Sequence, residues 1–158
     1  MESTKERVLD IIKHAKQDIN NMLENAKLIK EGIDLQFQSI PKDPKECVFG
    51  KWFYTEGQQL KKLSNNPMEC LQNIELLHNE FHQTYYDILE LYKKSASKGG
   101  LLKMFSKKEE IPKEELETLL QRLQHSHEKL YAELEKMQRR IQATPLEKFE
   151  ALTSNQTS

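Results

Sequence analysis

The side chains whose types and spacing could do chemistry are a histidine pair, His78 and His82, and a thiol, Cys47. On a helix, residues four apart lie on one face, so the two imidazoles can converge on a single metal ion. The plainer alternative is a coincidence of one buried and one exposed histidine. The stretch His78-Asn79-Glu80-Phe81-His82 lacks the glutamate directly after the first histidine that a zinc protease requires, which argues against that chemistry. Cys47 lies in Pro44-Lys45-Glu46-Cys47-Val48-Phe49-Gly50-Lys51-Trp52-Phe53-Tyr54. Asp43 reads as a helix N-cap, Pro44 as the first helical residue and Glu46 as the return arm of a capping box. That places Cys47 in a first helical turn, where free N–H groups and the helix dipole favour a thiolate. Gly50, one turn on, leaves room for another helix to approach, and Phe49, Trp52 and Phe53 bury the segment. The alternative here is a small buried cysteine in an aromatic core turn. Cys70 is the rival thiol, but about 12 Å of helix axis separates it from His78, so it reads as a core residue.

The elements that must position these groups are helices. A capping box at Ser3 and Glu6 opens the first, and its seam runs Val8, Ile12, Ala15, Ile19, Met22, Ala26 and Ile29 before a stop near Gly32. His14 sits beside that seam, in a row with Ile11 and Asp18, as a surface histidine would. Asn66-Pro67-Met68-Glu69 starts a long helix to about Lys94, with a seam of Leu71, Ile74, His78, Phe81, Tyr85, Ile88 and Tyr92. Residues 95–110 carry Gly99-Gly100 and read as a loop anchored by Leu101, Leu102 and Phe105; the six lysines from Lys93 to Lys108 leave a membrane-surface or partner-binding segment as the alternative. Pro112 begins a heptad helix over 112–142. One column holds Leu116, Leu123, Leu130 and Met137, the other Leu120, His127, Leu134 and Ile141, while His125 points outward. Thr144-Pro145-Leu146-Glu147 opens a short amphipathic piece with Leu146, Phe149 and Leu152 on its stripe, followed by a disordered tail.

Composition bounds the class. The chain has 158 residues, 37% hydrophobic and 31% charged, with few Gly and Pro and no alternating β-branched runs. This predicts an all-α antiparallel bundle of four to five helices, with one domain over 1–142 and its motif region in 1–94. A net charge of -1 gives no reason to expect nucleic acid. No signal-peptide pattern and no transmembrane run are evident, so the expectation is a cytoplasmic protein with reduced cysteines.

The order of these residues resembles a known family. A histidine in the first helix (His14), then Cys47-Val48-Phe49-Gly50-Lys51-Trp52, then His78 and His82 is similar to the chemoreceptor zinc-binding domain, a bacterial sensory module. The resemblance implies a three-histidine, one-cysteine Zn2+ site inside a helical bundle, with His14, Cys47, His78 and His82 as ligands. Three imidazoles and a thiolate suit zinc, and four protein ligands close its shell, which implies sensing or structure and no enzymatic role. The resemblance further implies that Cys47 is the redox-responsive ligand, oxidised by agents such as hypochlorous acid. It also implies a homodimer and a bacterial signalling output of the chemotaxis or cyclic-di-GMP type; with no room in 158 residues for an output domain, the expectation is a partner reached in trans. The two long seams, which offer more apolar surface than one small bundle readily buries, support the same dimer. Two other classes remain: a hemerythrin-like iron and oxygen carrier, and a metal-free helical adaptor.

Overall fold

A computed structural model describes residues 4–32, 43–63, 66–96 and 111–154. Five α-helices form: α1 (Thr4–Lys30), α2 (Val48–Phe53), α3 (Leu71–Ala96), α4 (Lys113–Ala143) and α5 (Leu146–Ser154). Three 3-10 turns, Pro44–Glu46, Glu56–Lys62 and Pro67–Cys70, connect the middle of the chain. The described residues form an all-α bundle, as the composition predicts.

α1 and α4 run antiparallel. At one end the Lys5 ammonium donates to the carbonyls of Gln142 and Thr144 (2.9 and 2.7 Å), a cation set against the last turn of α4. At the other end Lys30 meets Glu117 at 3.5 Å. α3 also runs against α4, since Arg140 pairs with Glu69 and donates to the Asn66 carbonyl. α1 and α3 are therefore parallel, with α4 packed along both, and the chain between them must travel back along the bundle. Gly32 ends α1 at φ +77°, a conformation that glycine adopts without a Cβ clash.

The α1 seam is buried throughout, and so is the first α4 column of Leu116, Leu123, Leu130 and Met137. In the second column Leu134 and Ile141 are buried but Leu120 and His127 only half so, and Ser126 takes a core place instead. Each fully buried Leu, Ile or Phe contributes roughly 1.5–3 kcal/mol, so these stripes hold the bundle together. α4 lies against both α1 and α3, so most of both seams is buried within the chain, while Leu120 and His127 stay partly exposed.

α5 rests on α1 through Phe149, which is fully buried, while Leu146 is exposed and Leu152 half-buried. The loop anchors Leu101, Leu102 and Phe105, the side chains of Leu71 and Cys70, and the final four residues lie outside the described parts. No described helix is long and apolar enough to cross a membrane.

Candidate metal centre

Cys47 is held by a local device that differs from the single helical turn its sequence suggests. The Asp43 carboxylate accepts from the Lys45 N–H (2.9 Å) and caps the Pro44–Glu46 turn, as an N-cap before proline should. That turn then stops. Cys47 takes an extended backbone (φ -72°, ψ 159°) and is itself the N-cap of α2, its sulfur accepting from the Gly50 N–H at 3.2 Å. The thiol also donates to the Pro44 carbonyl at 3.1 Å. The expected thiolate bias is reversed in the metal-free chain. Burial pushes the Cys47 thiol above its ordinary value, outweighing the backbone N–H groups of Gly50 and Phe49, and the Asp18 charge pushes the same way. Gly50 does not make room for another helix. Its missing side chain makes room for the backbone of the preceding turn, at Pro44 and Lys45.

Aromatic packing sets α2 against α3. The Phe49 ring lies 5.4 Å from Phe53, 5.8 Å from Trp52 and 5.3 Å from the His78 imidazole, which it meets edge-on. Tyr54, at the end of α2, donates to Glu75 of α3 (3.2 Å).

His78 and His82 are both buried on the inner face of α3, between the core side chains Ile74, Phe81 and Tyr85. Their rings stand 4.6 Å apart and nearly perpendicular. His78 Nε2 faces Cys47 Sγ at 3.4 Å. One donor atom from each of Cys47, His78 and His82 lies within 4.8 Å of the others, the one such group of three or more among the described residues.

Donor chemistry and spacing both fit zinc. From bond lengths of about 2.3 Å to sulfur and 2.0 Å to nitrogen, two ligands on one tetrahedral zinc are roughly 3.5 Å apart. The Cys47–His78 separation already has that value. Burial, and then the neighbouring His82, push His78 down to about 3, so the imidazole is neutral and its lone pair is not lost to a proton. Its Nδ1 is buried without a hydrogen-bond partner among the described residues.

His14 is placed differently. Its side chain is exposed on α1, its Nδ1 lies 2.8 Å from the Asp10 carbonyl, and it is not part of the three-residue group. A bond from Nδ1–H to a backbone carbonyl fixes the tautomer that leaves Nε2 open for a metal. Asp18, one turn further along α1, interacts electrostatically with both His14 and Cys47, and burial raises its carboxyl. Sequence reasoning met Asp18 only as a neighbour in the His14 row. The four-residue spacing was the available signal for its place beside the site. His125 is exposed as expected, and His127 bonds Asn20 Oδ1 at 2.6 Å and stacks on Tyr131, away from the ligand group.

Fold and site together define a helical-bundle domain with an internal cysteine–histidine metal centre. Residues 14–89 match the family described as the chemoreceptor zinc-binding domain. The match implies a zinc-binding regulatory or sensory role for this segment. Comparison with curated proteins and with solved structures gives no match.

Proposed function

We propose that the chain is a zinc-dependent sensor in which His14, Cys47, His78 and His82 hold one zinc ion and Cys47 responds to oxidants. The observation that carries this is the convergence of Cys47, from one segment, on two buried histidines of another. His14 completes the shell through the nitrogen left open by its Asp10 contact. Zinc, when bound, keeps the sulfur deprotonated and so reactive towards oxidants. Hypochlorous acid would then convert the thiolate to a sulfenic acid, forming a sulfur–oxygen bond and releasing chloride, which weakens the donor. With four protein ligands no position is left for a reactive water, so the role is signalling, not catalysis.

Residues 1–142 act as one unit in this reading, supported by the packing of α4 on α1 and α3. The output goes in trans to a cytoplasmic bacterial signalling partner of the chemotaxis or cyclic-di-GMP type. A homodimer rests on the family resemblance, and sedimentation at micromolar protein decides it: a concentration-independent monomer mass removes it.

Elemental analysis of purified protein tests the centre. About one zinc per chain is expected, and iron in its place would favour the hemerythrin-like alternative. Zinc content unchanged after His78→Ala and His82→Ala together would leave a metal-free adaptor as the better description. Release of zinc by hypochlorite in wild type but with the same dose dependence in Cys47→Ser would remove the redox role alone.

A further inference from the structure

Building a Cβ on Gly50 would set it 1.9 Å from the Pro44 carbonyl oxygen, 2.9 Å from the Pro44 carbonyl carbon and 3.0 Å from Lys45 Cα. All three are backbone atoms, so no flexible side chain can swing away to relieve the overlap. Gly50 lies inside α2, in a conformation open to any residue, so its requirement is for space and not for an unusual φ. The same two residues are the neighbours of the Cys47 sulfur. The Gly50 N–H donates to it at 3.2 Å and the Pro44 carbonyl lies 3.1 Å from it. On its far side the sulfur faces His78 Nε2 at 3.4 Å.

We propose that the close packing of Gly50 on the Pro44–Glu46 turn forms a backbone clasp that positions the Cys47 sulfur for the metal, with the Gly50 N–H still donating to the thiolate, so that Gly50 is a positioning residue for zinc. This rests on the zinc reading above. A side chain at position 50 must displace either the Pro44–Glu46 turn or the first turn of α2. The first movement pulls the turn, and Cys47 after it, from α3. The second moves the Gly50 N–H and carries the sulfur off the line to His78. Either way the cysteine leaves its place while His78 and His82, fixed in the core of α3, keep theirs. Gly57 supplies the contrast. A Cβ there would lie 3.0 Å from the Trp52 carbonyl and 3.3 Å from its ring, a tight fit that touches nothing around the sulfur.

The test uses the full chain loaded with cobalt(II), whose sulfur-to-metal charge-transfer band reports the thiolate specifically, together with zinc affinity by chelator competition. Gly50→Ala should keep the helical circular dichroism of the long helices, lose most of the charge-transfer band and bind zinc roughly 10–100-fold more weakly, the range seen when groups supporting a ligand are lost. Gly57→Ala should lower the melting temperature yet keep band and affinity. A full band and wild-type affinity in Gly50→Ala would overturn the clasp, as would equal loss in Gly57→Ala. If Gly50→Ala does not fold, Asp43→Ala loosens the same turn by removing its cap, and a several-fold drop in affinity is expected. An unchanged affinity there overturns the proposal. A wild-type chain that binds neither metal would instead sink the zinc reading itself, a result distinct from normal wild-type binding with an indifferent Gly50→Ala.

Discussion

The two halves of the centre are built in opposite ways. The histidine half belongs to a 26-residue helix and is surrounded by Ile74, Phe81 and Ile88, none of them exposed. The cysteine half is a six-residue helix whose first turn is capped by the Cys47 sulfur itself. Long, packed helices are held by tertiary burial, whereas a single turn and a half has little cooperative support of its own. The stable side therefore fixes where a metal goes, and the marginal side is where a chemical change at the ligand alters local structure. A sensor needs that asymmetry, because two equally rigid halves would have nothing inexpensive to release.

Removing the rigid half should have the largest effect. His78→Ala with His82→Ala is expected to abolish stoichiometric zinc, at a cost of about 5 kcal/mol or more of binding free energy, half the ligands of a site worth roughly 10–16. Equilibrium dialysis measures this, and retained tight binding would mean that the cysteine side anchors the metal.

Acid should act on the same half next. His78 is held at about 3 in the folded metal-free chain against 6.5 for the ordinary imidazole. Between those values the unfolded chain binds a proton that the folded chain refuses. The contribution is thus fully present above pH 6.5 and is lost as pH falls towards 3. It is expected to be on the order of 2–4 kcal/mol, read from urea melts of metal-free protein at pH 7 and pH 4, and His78→Phe should flatten that component.

Cys47→Ser sharpens the contrast from the marginal side. Zinc affinity should fall about 100-fold, and hydrogen exchange should quicken over 44–54 while α3 keeps its protection. Because burial keeps the metal-free thiol protonated at neutral pH, wild type should release about one proton from Cys47 as zinc binds, and the variant should not. Calorimetry in two buffers of different ionisation enthalpy counts it.

The smallest effect is expected at His14. His14→Ala should weaken zinc about tenfold, consistent with its place outside the three-residue group, and change apo stability by less than about 0.5 kcal/mol, as surface substitutions do. An effect equal to that of Cys47→Ser would make all four ligands equivalent and dissolve the comparison.

Much of this was legible in the residues. The α1 seam and the first α4 column were readable because a helical period repeats over many turns and so averages out local noise. The histidine pair was readable because four-residue spacing fixes a shared face. The role of Cys47 as a cap was not, since three residues after a proline fit a 3-10 turn and an α-helical first turn equally well. The use of Gly50 was misassigned for the same reason. Its partner is the backbone six residues earlier, and one-dimensional spacing says nothing of that approach. Periodicity gives the width of an apolar stripe but not the number of helices that cover it, so the seams alone do not choose between one bundle and a dimer.

The Lys5 ammonium on the last carbonyls of α4 carries a consequence for the order of assembly. That contact joins residues 139 apart in the chain, whereas Cys47 and His78 are 31 apart. Closing the longer loop costs about 1.3 kcal/mol more in chain entropy, and its reward waits until α4 has been made and docked. The cysteine and histidine segments meet at lower entropic cost and on shorter chain lengths. During synthesis, metal can therefore engage a growing chain whose closing helix is still to come.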